Sequence, residues 1–539
     1  MIETSPLIDR FPIKSLICIW IIACFLALYD LGNVPLRDFD EATVARVALE
    51  LTDKSGLERF LPSLWNYPYL NKPPGLHWFI SLAIQWNRFW RVETNFLPSE
   101  FCIRFFPAIL STFVVPIAGL IQWNLRPKDK ISAIASSVIL LTLLPIVRHG
   151  RLAMLDGTQL SAIALLWFFL VSLDESRLDK FRFLGAGFAC SFMLLLKAPL
   201  MIPALVAALL PLVWEKKFKR NNSFYFLRWF SFGLIPGVLW HCWNIFANGS
   251  GALWLWWGDG AGRVLFQSGP GSNLGFWVPV IEVLEGGWPW ILLWPFGVAL
   301  AWSQMHTRWG AWTLSTQIVL LASILPLKMQ LPWYSHSIWL PFSLLCGPPI
   351  SYLVERNSLN CIPGKKLLGL VPACWSCLGG VAIAVVFISF FELNSVILPY
   401  RKFIIPISIG WFVGGLLLNN RTQKYRRIGL LSVALGSLIG LFFLMGSNLW
   451  LWELNENWQV KQVAKMVLST SNEDVYIFGS VERPSLNWYA GKQVKSIESV
   501  QGVQLFLKRH YTNNPDLNKQ TCSVIDNQNE WDLVRCQSE

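Results

Sequence analysis

LICIWIIACFLALYDL, residues 16–31, is followed closely by the charged string RDFDE, residues 37–41. The first stretch is apolar enough to enter a bilayer as a helix. The second places ionisable groups at the membrane surface, where they are costly and therefore suggest function. Apolar runs of this kind recur as far as Trp450, and hydrophobic residues make up 54% of the 539 positions. No soluble core requires so many, so the chain reads as an all-α polytopic membrane protein.

Net charge is +12, but the excess Lys and Arg fall in short clusters between apolar runs. That distribution reports topology and excludes a nucleic-acid footprint. Most of the 11 cysteines lie inside apolar runs without metal-ligand spacing, as small buried hydrophobes do. No small-residue cleavage site precedes Tyr29-Asp30, so the first helix is expected to be retained.

Basic clusters at Arg10/Lys14, Arg126/Lys128/Lys130, Arg177/Lys180/Arg182, Lys216–Arg220, Arg356/Lys365/Lys366 and Arg421–Arg427 are assigned to the cytoplasmic side. Between Arg10 and Arg126 the chain must then cross an even number of times, yet three apolar runs compete. The run 76–90, LHWFISLAIQWNRFW, is short and carries Gln85, Asn87 and Arg88 among its aromatics, which suits an interfacial helix. Residues 32–103 become one long external loop. About thirteen crossings remain: 16–31, 104–122, 131–147, 158–173, 183–196, 199–214, 224–246, 288–303, 309–326, 335–354, 367–391, 403–418 and 428–450. The expected domains are a membrane body, 1–450, and a small external α/β domain, 451–539.

The N-terminus is expected in the cytoplasm and the tail outside. Asp40, Lys72, Arg151, Asp156, Lys197, Asp259, Arg263, Lys328 and Tyr334 then all converge on the external side. The 30 Trp residues suit an aromatic belt there. In the tail, Glu453 to Ser469 and PSLNWYAGK (484–492) read as helices and VYIFG (475–479) as a strand. Cys522 and Cys536 suit either a disulfide in an oxidising exterior or two separate thiols.

Each candidate residue has a structural reading beside its chemical one. The acidic start of DFDEATVARVALEL (38–51) suits a helix N-terminus through the macrodipole. Asp40 in a partly dehydrated cavity would instead serve as a general base toward an acceptor hydroxyl, or hold a cation. Lys72 in YPYLNKPPGLHW (67–78) could snorkel, but the rigid Pro73-Pro74 turn suits presentation of its charge to a phosphate. Asp156 in GRLAMLDGTQLS (150–161) resembles a helix cap. Lys197 interrupts apolar sequence, so an anionic ligand or a carboxylate should be near. WGDGAGRVLFQSGPGSN (257–273) is a Gly-rich loop suited to ligand-induced ordering or to plain connection. Asp38-Phe39-Asp40 is a D-x-D string; Asp38 and Asp40 leave room for a divalent cation without establishing one. The histidines lack ligand spacing and read as structural or interfacial.

Taken in order, the acidic pair after the first span, PYLNKPP, IRFFPAILS (103–111), RLAMLDGTQLS (151–161), LLLKAPL (194–200) and LPWYSHSIWLPF (331–342) resemble the aminoarabinose transferase and protein O-mannosyltransferase group of GT-C glycosyltransferases. The resemblance covers roughly residues 16–350. It implies a GT-C-like membrane enzyme that moves a sugar, with inversion, from a polyprenyl-phosphate carrier to a lipid, glycan or protein acceptor on the external face of the plasma membrane. It further implies Asp40, Glu41 and Asp156 as catalytic residues, and Lys72, Lys197, Arg263 and Tyr334 around the donor phosphate. The chemistry agrees, because a departing lipid phosphate needs cations and an attacking hydroxyl needs a base. Aminoarabinose transferases carry Arg-Tyr where this chain has Thr43 and Val44, and an acidic residue where it has Asn71. The general reaction is therefore implied, but not the sugar or the acceptor. A polytopic lipid or sugar transporter is the alternative, although no paired interrupted helices mark an inverted repeat. A non-catalytic assembly subunit would leave the Asp40 and Lys72 pattern without a purpose.

Overall fold

A computed structural model describes residues 12–90, 97–174, 176–215, 220–262, 277–328, 330–356, 362–391, 396–450, 459–470, 473–500, 503–510, 522–528 and 530–536, with backbone only at 220–222 and 259–261. Every apolar run read above carries a helix. Among the described residues seven helical stretches are long and apolar enough to cross a membrane, or up to nine if each of two bent pairs makes one crossing.

The difference from thirteen separate crossings has local causes. Runs 183–196 and 199–214 form one helical stretch, Asp179–Trp214, which passes through a 3-10 turn at Ala198–Leu200. Ile13–Leu28, Leu155–Val171 and Arg308–Ile324 have only 16 or 17 residues. Lys130–Thr142 and Leu144–Arg151 meet at 58°, with Leu143 extended just ahead of Pro145. Trp277–Gly286 and Trp290–Ser303 meet at 105°. The helix Gly75–Trp90 is not among the candidate crossings; it exposes Leu82, Trp86, Phe89 and Trp90.

Two compact units divide the chain. The first comprises Met1–Asp30, Leu70–Leu76 and Phe106–Ser447. Its helices approach closely through small residues, the usual device where lipid removes the hydrophobic driving force. A Cβ on Gly187 would lie 2.1 Å from Phe230 O and 2.9 Å from Gly233 Cα, so Asp179–Lys197 and Arg220–Asn248 touch backbone to backbone. Arg151 is fully buried and donates to Leu26 O and Tyr29 O, each at 2.8 Å. It ties the end of the first helix into this unit. Not every Trp is available to an aromatic belt, because Trp167, Trp290, Trp309, Trp312, Trp339 and Trp375 are core residues. Trp254, Trp257 and Trp288 are exposed.

The second unit comprises Leu31–Tyr69, His77–Phe105 and Asn448–Glu539, so the first loop and the tail cluster together. In the loop, helix Glu41–Asp53 leads to a short antiparallel ribbon, Ser63–Leu64 with Tyr67–Pro68. Its turn residues Trp65 and Asn66 have φ of 54° and 68°. Glu50 accepts from both turn amides, Trp65 N at 2.7 Å and Asn66 N at 3.2 Å, and from Ser63 Oγ and Arg46 Nε. The tail carries helices Val460–Ser469 and Pro484–Ala490 and a five-stranded sheet. Strand Tyr476–Phe478 pairs parallel with Ser496–Ile497 and with Leu505–Arg509; Trp531–Cys536 pairs antiparallel with Leu505–Arg509 and with Cys522–Gln528. Cys522 and Cys536 stand opposite each other in that register and form a disulfide. The helix at 484 closes on Gly491 at φ 66°, a left-handed cap that glycine adopts without steric cost.

Candidate active site

Asp156 lies in the first turn of Leu155–Val171, and Lys197 ends Asp179–Lys197. The Lys197 ammonium donates to Asp156 Oδ1 at 2.8 Å. This answers the question posed by a lysine in apolar sequence, since the carboxylate supplies the partner that a charge in such a setting demands. Gln159 Nε2 donates to Lys197 O at 3.4 Å and stitches the two helices again. Lys197 Nζ also lies 4.7 Å from the centre of the Tyr334 ring, which comes from the 3-10 segment Pro332–Ile338. At this range the ring face adds a cation–π attraction.

Lys72 and His336 act electrostatically on the same carboxylate. The Lys72 loop is held there by close contact: Pro73, Pro74 and Gly75 are buried, and a Cβ on Gly75 would fall 2.6 Å from Leu195 O. Only glycine lets this turn reach the last turn of the helix that ends in Lys197. Asp156 is fixed in a similar way, since a Cβ on its neighbour Gly157 would lie 3.0 Å from both Gly150 Cα and Ser111 Cβ. The first unit thus gathers Lys72, Lys197, Asp156 and Tyr334. It adds a buried pair that the sequence did not signal, His149 and His336, with rings 5.6 Å apart. Arg263 lies outside the described residues, as does most of the Gly-rich loop.

The second unit holds three acidic residues in three different environments. Glu41 is fully buried, and Arg104 grips it in a two-point pair, Nε to Oε1 at 2.8 Å and Nη2 to Oε2 at 2.6 Å. Arg37 N–H donates to Oε2 as well, at 2.8 Å. Arg104 spends its remaining donors on Leu31 O, Val34 O and Pro35 O. A carboxylate so enclosed holds the loop in shape, and the expectation of a catalytic Glu41 does not fit this geometry. Asp38 is buried too, in an ion pair with Arg483, and its Oδ1 accepts from Ser485 N at 2.9 Å. Asp40, by contrast, is partly exposed at the head of Glu41–Asp53 and does not cap that helix.

A cation at Asp38 and Asp40 fits poorly, since Arg483 already neutralises one of the two carboxylates. Among the described residues no group of three or more His, Cys, Asp or Glu is arranged to hold a metal. Arg104 stood unread in IRFFPAILS, and Arg483 directly precedes the PSLNWYAGK helix. An unmatched arginine beside an apolar or helical segment was the available signal for both.

The family model of dolichyl-phosphate-mannose-protein mannosyltransferases matches residues 17–246. The crystal structure of ArnT from Cupriavidus metallidurans in the apo state superposes with a TM-score of 0.71, covering 97% of each chain at 13% identity. This chain has the GT-C fold of the aminoarabinose transferases. The same protein bound to undecaprenyl phosphate superposes with a TM-score of 0.68, again at 13% identity and 97% of each chain. The undecaprenyl phosphate-alpha-4-amino-4-deoxy-L-arabinose arabinosyl transferase of Erwinia tasmaniensis is 28% identical over 335 residues, 60% of this chain. The chain spans 57% of that relative's length. The GT-C resemblance seen in the motifs is thus met by an independent likeness of fold.

Proposed function

We propose that the protein is an integral inner-membrane glycosyltransferase that moves a sugar from a polyprenyl-phosphate carrier to a lipid acceptor on the external face, with inversion. The observation that carries this reading is the cluster of Lys72 and Lys197 around Asp156 and Tyr334, in a fold whose crystallised neighbour binds undecaprenyl phosphate. Two ammonium groups suit a phosphate that gains charge as the sugar leaves. Asp156 orients Lys197, and the Tyr334 ring lies against the same ammonium. Arg263 is a further cation for the same phosphate.

Asp40 is the general base toward the acceptor hydroxyl in this proposal, and Glu41 is the structural carboxylate beside it. A base of this kind contributes about 10²- to 10⁴-fold to rate. The body, 1–450, carries the reaction; the N-terminus is cytoplasmic and the tail, 451–539, is external. Glycan and protein acceptors are the competing assignments. Proteoliposomes loaded with a polyprenyl-phosphate sugar and either lipid, glycan or peptide acceptors test the reading. Transfer to lipid alone is the expected result, and no transfer to any acceptor would overturn it.

A further inference from the structure

In the tripeptide Asp38-Phe39-Asp40 the outer residues differ in burial, and the middle one adopts φ 57°. A non-glycine residue in the left-handed region holds that conformation only when its surroundings enforce it. Asp40 N donates to Asp38 O at 2.6 Å, so the place of Asp40 follows from the place of Asp38. Asp38 is in turn held by the tail. Its carboxylate pairs with buried Arg483 and accepts from Ser485 N, 447 residues away in sequence. A second grip lies just upstream: Leu36 N donates to the Tyr489 hydroxyl at 2.7 Å, and that hydroxyl donates to Glu100 Oε1 at 2.8 Å. Lys461 pairs with the same Glu100 oxygen at 2.5 Å. On the other side of Asp40, Glu41 is locked by Arg104. The partly exposed carboxylate is thus clamped between two buried ion pairs, one of which comes from the C-terminal domain.

We infer that the C-terminal domain acts in catalysis through Arg483, a positioning residue that sets the attitude of Asp40 by holding Asp38. This rests on the reading of Asp40 as the base. The domain that looks like a mere appendage then has a definite task, since the loop conformation that presents the base is completed by the last ninety or so residues of the chain.

The test uses the full-length protein in proteoliposomes with a polyprenyl-phosphate sugar and lipid acceptor. Arg483→Ala is expected to lower kcat at least tenfold while the KM for the donor stays within about twofold, because the donor cations belong to the other unit. Arg483→Lys is expected to recover part of the loss. The decisive measurement is the double variant Arg483→Ala/Asp40→Asn, which should be no slower than Asp40→Asn alone. Multiplying effects, or a donor KM that rises with the fall in kcat, would overturn the inference. Should Arg483→Ala fail to fold, the isosteric Asp38→Asn carries the same comparison, and wild-type kcat in a folded Asp38→Asn would also overturn it. If Asp40→Asn itself keeps wild-type activity, the base assignment has failed, and the inference falls with it. If Asp40→Asn is slow and Arg483→Ala is not, only the inference has failed.

Discussion

Lys197 Nζ stands 2.8 Å from Asp156 Oδ1, and that contact joins the last turn of one apolar helix to the first turn of another. The lysine is about a third exposed and the carboxylate much less so, with side-chain exposures of 29% and 11%. The geometry therefore leaves the ammonium a face to offer a ligand while the aspartate secures its other side.

Lys197→Ala is expected to raise the KM for the polyprenyl-phosphate donor about 10- to 100-fold, since a hydrogen bond to a charged group contributes about 1.5–3 kcal/mol. Lys197→Arg should retain part of the affinity, because charge persists while reach and geometry change. Titration of donor into proteoliposomes checks both. A purely structural strut would show instead as a lowered melting temperature with donor KM unaltered.

Asp40 and Glu41 are neighbours with opposite expected phenotypes. Asp40→Asn should lower kcat about 10²- to 10⁴-fold and leave the thermal midpoint in place. Glu41→Gln should do the reverse, costing about 3–5 kcal/mol of stability, because it leaves the buried Arg104 guanidinium without its counter-charge. Thermal unfolding and transfer rates measured on the same preparations distinguish them. A stable but inactive Glu41→Gln would return Glu41 to the chemistry.

Glu50 makes the first loop sensitive to acid. Its partial burial raises the carboxyl pKa, but donation from Ser63, Arg46 and the Asn66 and Trp65 amides outweighs this and holds it below its ordinary value of 4.5. A depressed carboxyl stabilises the fold above its unfolded pKa, and the contribution is lost as pH falls through the folded one. The ribbon at Ser63–Pro68 should therefore loosen only below about pH 4.5, which lowers amide protection at Trp65 and Asn66 after correction for intrinsic exchange. Glu50→Gln should lack this acid step. Identical pH profiles for the two proteins would remove Glu50 from the account.

The helices were legible because apolar composition over 15 or more residues decides them locally. The grouping of Lys72 and Lys197 about Asp156 was legible for a related reason: both lysines break apolar or prolyl context, and a charge in such context needs a partner. What the sequence hid were the partnerships themselves. Glu41 looked like the twin of Asp40, and only the bidentate Arg104 tells them apart. Asp38 left room for a cation without establishing one, and it is Arg483, far along the chain, that pairs with it. Among the described residues the number of candidate crossings differed in part because hydropathy marks only where apolar residues lie. It does not mark whether a 3-10 turn at Ala198–Leu200 separates two helices or continues one.

Membrane orientation rests on the placement of basic clusters, and it is open to direct labelling. Glu58 in the first loop, Glu498 in the tail and Lys424 in the last basic cluster are all exposed. With the native reactive thiols replaced, Glu58→Cys and Glu498→Cys should react with an impermeant thiol reagent in intact cells, and Lys424→Cys only after permeabilisation. The native disulfide Cys522–Cys536 should stay silent in the same experiment unless reduced. The helix Gly75–Trp90 decides the outcome: if its exposed Trp86, Phe89 and Trp90 lie in the interface, the loop on both sides of it stays external, and Leu97 replaced by Cys labels from outside as well. If Leu97→Cys labels only after permeabilisation while Glu58→Cys labels from outside, this helix crosses the membrane. Residues 32–103 would then cease to be one external loop.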